Sequence, residues 1–77
     1  MDETFNKLMD VLHESMPDTD TSRVTRQSDL VKDIGLDSLN MMLLAMVIEE
    51  KFQIHFETGF NPSTVDDLCV YIEKASK

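Results

Sequence analysis

Between Leu39 and Ile48, ten successive residues carry a single polar side chain, Asn40, and the run closes on Glu49-Glu50-Lys51 and Phe52. This stretch predicts one dominant helix of about 15 residues. On a helical surface Leu39, Met42, Leu43 and Met46 share one face, and Met41, Leu44, Ala45 and Ile48 share another. Both faces are apolar, and one of them must be core. A chain of 77 residues with 42% hydrophobic content supports one domain, spanning 1–77, around one core. A body of that size buries only roughly 60% of the surface its unfolded chain exposes. It cannot cover every face of this helix, and a deep enclosed catalytic pocket is not expected.

The rest of the chain supplies shorter helices. Phe5, Leu8, Met9 and Leu12 follow the i, i+3, i+4, i+7 spacing, with Asp2 placed to cap that helix and Glu3 at its positive end. From Pro17 to Ser28 only Val24 is apolar, so a surface loop of about a dozen residues is predicted, long enough to need pinning by side chains. Arg23 and Arg26 are the residues that would fasten it to nearby acids. One short helical turn fits Ser28 to Ile34, with Gly35 as a left-handed stop. The alternation around Ile54 and Phe56 has no partner strand and reads as an extended link into a turn. Ser63 or Thr64 caps a last helix, each with an aspartate three residues on, and Val65, Leu68, Cys69 and Ile72 mark its buried face. The predicted fold is all-α: a small bundle of three longer helices plus one short helix or turn.

Charge narrows the partners. Fifteen acidic residues against seven basic give a net charge of -8, which repels phosphate backbones and anionic headgroups. Neither nucleic acid binding nor stable membrane insertion is expected. No apolar run reaches the roughly 20 residues of a membrane span, and Met1-Asp2-Glu3 lacks the basic region of a signal peptide, so the cytoplasm is the expected compartment. Cys69 is the single cysteine; it has no partner for an internal disulfide and reads as a small core residue.

The chemistry gathers in Asp33-Ile34-Gly35-Leu36-Asp37-Ser38-Leu39, just ahead of the apolar run. Taken locally, Asp37 or Ser38 caps the helix. A hydrolytic nucleophile would need a base and an orienting third group, and the chain offers only His13 and His55, with no Gly-x-Ser-x-Gly elbow. The remaining possibility is a serine that is modified, since a helix start presents free N–H donors and a positive dipole end to an attached phosphate.

Gly35-Leu36-Asp37-Ser38-Leu39, the long helix ending in Glu49-Glu50-Lys51-Phe52, the following Ile54, and Thr64-Val65 with Leu68, Tyr71 and Ile72 together resemble the acyl carrier proteins over nearly the whole chain. The resemblance implies a carrier with no catalytic residues of its own. A phosphopantetheinyl transferase would attach 4′-phosphopantetheine to Ser38, flanked by Asp37 and Leu39. The thiol of that group would hold acyl cargo as thioesters and present it to acyl-transferring and chain-elongating enzymes of fatty acid or specialised polyketide and lipid biosynthesis. The family's pattern places Leu44, Ile48 and Phe52 inside. An aminoacyl or peptidyl carrier, and an unmodified acidic helical adaptor, are the alternative readings.

This chain departs from many acyl carrier proteins directly after the serine motif, where Asn40 and Leu43 stand at positions that are often acidic. No carboxylate occurs between Asp37 and Glu49. Docking is therefore expected to be more apolar, through Met42, Leu43 and Met46, with Asn40 beside them and Glu49 and Glu50 at the far end. The molecule is expected to be a monomer. No metal site is expected. Asp18, Asp20, Ser22 and Asp29 echo a calcium loop, but Arg23 stands where its glycine would be and Asp29 where its terminal glutamate would be.

Overall fold

The structure is a computed structural model, and it describes residues 2–18 and 20–75. Three helices carry the fold: α1 (Glu3–Ser15), α2 (Ser38–Phe52) and α3 (Val65–Ala75). A short 3-10 turn, Thr21–Arg23, interrupts the loop between the first two. The short element thus lies earlier than the helical turn expected at Ser28 to Ile34. That later segment is instead a set of hydrogen-bonded turns, with the Asp33 and Ile34 N–H groups donating to the Asp29 carbonyl at 3.0 and 3.2 Å.

Each helix begins where a side chain can take up its free N–H groups. Asp2 accepts from the Phe5 N–H at 3.1 Å and starts α1. At α3 the arrangement is reciprocal, because the Thr64 hydroxyl accepts from the Asp67 N–H while the Asp67 carboxylate accepts from the Ser63 and Thr64 N–H groups. These donors hold the Asp67 carboxyl below its ordinary pKa. Of the two expected caps, Thr64 is the one that works, which leaves Asp66 free to act elsewhere. The α2 helix stops at Gln53, whose φ of 56° is left-handed.

Helix α1 lies against both α2 and α3, whereas α2 and α3 make little direct contact. The core between them holds Leu8, Val11 and Leu12 of α1, Leu44 and Ile48 of α2, and Val65, Leu68, Cys69 and Ile72 of α3. Leu30 and Leu36, from the connection ahead of α2, complete it. Burial pushes the Cys69 thiol up to about 11, which fits a structural residue. Phe52 corrects the expected interior: it is half-buried, because it ends α2 and the Lys7 ammonium sits 4.9 Å from its ring centre.

The long loop is fastened by one arginine. Arg26 donates from Nε to Asp66 at 2.8 Å and from Nη1 to Asp2 at 2.8 Å, and its Nη2 lies 3.4 Å from Glu73. Arg23 makes no such bridge among the described residues. Backbone bonds reinforce the clamp: the Leu30 N–H donates to the Ser63 carbonyl, the Val65 N–H to Ser28 and the Asp66 N–H to Arg26. The loop is therefore stitched to the start of α3 before it delivers the chain to α2.

Candidate functional site

A turn and a buried anchor set the entrance to α2. Asp29 accepts from the Val31 and Lys32 N–H groups at 2.9 and 2.8 Å, which also holds its carboxyl below the ordinary pKa. The chain then reverses through Gly35 at φ +88°, a conformation that favours glycine. Leu36 follows, almost wholly buried, and the Leu36 N–H donates to the Leu30 carbonyl at 3.0 Å. With Leu36 fixed in the core, the next three residues, Asp37, Ser38 and Leu39, emerge exposed.

The choice between Asp37 and Ser38 as cap is settled by geometry. Asp37 accepts from the Asn40 N–H at 2.8 Å and is the N-cap. Ser38 is the first helical residue, and its hydroxyl makes no hydrogen bond among the described residues. No histidine attends it: His55 lies beside Glu49, at 3.3 Å, and Glu49 is about 16 Å along the helix from Ser38 at 1.5 Å per residue. A serine hydrolase arrangement is ruled out by that separation, and His13 sits in the last turn of α1. What remains is an exposed, unengaged hydroxyl at a positive helix end, suited to carrying a phosphate ester.

Below Ser38 the helix opens onto a cavity of about 220 Å³. Met41, Met42 and Ala45 stand three, four and seven residues after Ser38, so they share its face, and all three line the cavity. The rest of the wall comes from Leu44 and Ile48, from Leu68 of α3, and from Phe56, Phe60, Asn61 and Pro62 of the connecting segment. The brief alternation at Ile54 and Phe56 reads as an extended link and does not mark this wall; the closely spaced aromatics Phe56 and Phe60 were the available signal.

Met42 borders both the cavity and the open surface, and beyond it the outer face of α2 is bare. Leu39, Met42, Leu43 and Met46 are between 49% and 62% exposed, and Val31, from the preceding turn, is exposed as well. Asn40 is half-buried and Glu50 exposed. Glu49 turns toward the connecting segment, where its carboxylate accepts from the Phe56 N–H at 2.8 Å. Of the loop acids, Asp20 accepts from Ser22 and Asp29 caps its own turn, and no cluster of three metal-binding side chains occurs among the described residues.

The family model described as "Phosphopantetheine attachment site" matches residues 6–72. The chain is also similar to proteins named acyl carrier protein. That of Thermotoga maritima is 35% identical over 75 residues, covering 95% of this chain and 91% of the relative. That of Helicobacter pylori is 37% identical over 71 residues, covering 90% of each. The protein of Trieres chinensis is 31% identical over 77 residues, covering 97% of this chain and 95% of the relative.

Proposed function

This chain belongs to the acyl carrier protein family, and from that membership we propose that Ser38 is its point of phosphopantetheine attachment and that residues 1–77 form one carrier domain. Members of the family are carriers and not enzymes, and their prosthetic group is covalent 4′-phosphopantetheine. When bound, that group supplies a flexible arm whose terminal thiol holds acyl chains as thioesters.

The observation that carries the reading is the free, exposed Ser38 hydroxyl beside a cap that Asp37 alone provides. Because Asp37 satisfies the first turn, Ser38 Oγ can leave the helix's hydrogen bonding untouched when it reacts. Ser38 Oγ displaces adenosine 3′,5′-bisphosphate from coenzyme A, forming a phosphodiester and yielding its proton to a base of the transferase. The Ser38 and Leu39 N–H groups, unpaired at the helix start, then face the new negative charge. Leu36 and Gly35 keep this corner rigid, so a transferase meets the hydroxyl in one orientation.

The cavity fits the same reading. An acyl chain drawn between Met41, Met42 and Ala45 gains about 0.8 kcal/mol per buried CH₂ and is shielded from water. Its apolar lining favours acyl cargo of fatty acid or polyketide type over charged aminoacyl cargo. Partner enzymes, acyl-transferring and chain-elongating, dock on Leu39, Met42, Leu43 and Met46, with Asn40 and Glu49 beside the patch and the Glu50 carboxylate at its end. A charge of -8 repels a second copy, which supports a monomer. A thiol-ended arm also suits the reducing cytoplasm.

Incubation with a promiscuous phosphopantetheinyl transferase and coenzyme A tests the assignment by intact mass. The wild type is expected to gain one phosphopantetheine and Ser38→Ala none. A wild type that stays unmodified, or a Ser38→Ala chain that is still modified, refutes it.

A further inference from the structure

We propose that Met42 and Met46 form a redox-sensitive modification site: a peroxide converts their thioethers to sulfoxides on the open face of α2, and the sulfoxides weaken the docking of partner enzymes until they are reduced again. The inference rests on the carrier reading above and concerns the chemistry of the docking face, not the cargo space.

These two side chains differ from the other described methionines in access. Met42 is 60% and Met46 59% exposed, whereas Met9, Met16 and Met41 are half-buried and pack against the core. Met42 and Met46 stand four residues apart in α2, so they are neighbours on one face, about 6 Å apart along the axis. A thioether has no proton to lose before it reacts, so access of the oxidant to sulfur ranks the rates. Cys69, the competing sulfur, is buried, and that burial holds its thiol up to about 11, so little thiolate forms. The reaction is a two-electron oxygen transfer. The sulfur lone pair attacks one oxygen of hydrogen peroxide, the S–O bond forms as the O–O bond breaks, and the proton of that oxygen passes to the departing hydroxide to give water. The sulfur is oxidised and the peroxide reduced, and sulfoxide reductases reverse the change.

The position of the pair decides what the modification does. Met42 follows Ser38 by four residues, so an enzyme that reaches the Ser38 hydroxyl covers the Met42 side chain as well. Met46 continues the same exposed face with Leu39 and Leu43. No carboxylate occurs between Asp37 and Glu49, so attraction along this face rests on apolar contact. Oxidation turns a flexible apolar side chain into a polar one whose oxygen is a hydrogen-bond acceptor. Covered by a partner, that oxygen gives up its water and meets only the apolar contacts of the patch; one buried acceptor left without a donor slows productive docking about tenfold. The fold itself is spared, because neither Met42 nor Met46 is among the core side chains or those packed against them.

The test exposes the full, unmodified chain briefly to hydrogen peroxide, removes the peroxide, and locates each sulfoxide by peptide fragmentation. The treated chain is then offered to a phosphopantetheinyl transferase with coenzyme A; with no arm yet attached, no arm thiol enters the result. Sulfoxide is expected to accumulate at Met42 and Met46 several times faster than at Met9, Met16 and Met41, with Cys69 still a thiol and Tm little changed. In the same sample kcat/KM for phosphopantetheine attachment falls about tenfold or more, and incubation with the two sulfoxide reductases, one for each epimer, restores it. The double variant Met42→Leu/Met46→Leu, compared with its own untreated rate, is expected to show no loss after peroxide. Oxidation of Met9, Met16 and Met41 as fast as the exposed pair, a chain oxidised at both Met42 and Met46 that reacts as fast as before, or a double variant that loses rate as the wild type does overturns the site, while mass gain by the untreated chain leaves the carrier reading standing. An untreated chain that gains no phosphopantetheine overturns both.

Discussion

The division of labour between Asp37 and Ser38 can be measured by stability alone. Among the described residues Asp37 supplies the only side-chain bond to the first turn of α2, accepting from the Asn40 N–H at 2.8 Å in an exposed setting. Replacing an aspartate cap by alanine costs about 1 kcal/mol, within a range of roughly 0.5–2. Because the site is open to solvent, the freed N–H is rehydrated and no further penalty for burial arises. A domain of this length has a total stability of roughly 4–12 kcal/mol, so the loss is a sizeable share. It corresponds to a fall in Tm of about 4–8 °C. Asparagine caps nearly as well, so Asp37→Asn is expected to lose no more than about 0.5 kcal/mol, the value of one charge near a helix start. Ser38→Ala touches no hydrogen bond among the described residues and should stay within about 0.5 kcal/mol of wild type. Urea unfolding of the unmodified chains gives all three numbers. If Ser38→Ala costs as much as Asp37→Ala, the hydroxyl is a structural cap, and the reasoning that leaves it free for modification fails.

Two further outcomes follow from other parts of the molecule. Arg26→Met should lower Tm and weaken its pH dependence together, since Arg26 is the chief reason the Asp2 carboxyl is held below its ordinary value. A carboxyl depressed in the folded state stabilises above the unfolded pKa of about 3.9 and loses that contribution as pH falls through the lower folded value. Wild-type Tm is therefore expected to drop below about pH 4, and to drop less steeply in Arg26→Met; equal slopes would remove Arg26 from the account. Leu43→Glu, on the bare face of α2, should leave Tm nearly unchanged but slow acyl transfer to or from a partner enzyme severalfold in kcat/KM. Unaltered partner kinetics would take this face out of docking.

Local pattern carried the helices, and tertiary pairing carried what it missed. The limits of α2 were legible because an apolar run between Asp37 and the Glu49-Glu50-Lys51 cluster permits little else, and the start of α3 was legible from Thr64 and Asp67. Which of Asp37 and Ser38 would cap was not, because both residue types serve and only the backbone angle decides. Arg23 and Arg26 look alike in sequence; their roles differ because Arg26 lies where Asp2, Asp66 and Glu73 converge from segments far apart in the chain. The pairing of Asp29 with Thr64 leaves no periodic trace for the same reason. At Gln53 the helix takes a left-handed stop without glycine, so composition gave no signal there. A serine at the start of the long helix was readable; the contribution of Phe56 and Phe60 to the cavity wall was not.

The Arg26 clamp has a kinetic side as well. Its three partners lie 24, 40 and 47 positions away, so each contact encloses a long stretch of chain. Such closures cost entropy before they return anything, so they are expected to form after the helices have met. Contacts made that late leave the folding rate nearly alone and raise the barrier to escape. Arg26 thus acts as a latch, setting how long each molecule keeps its shape between one encounter and the next.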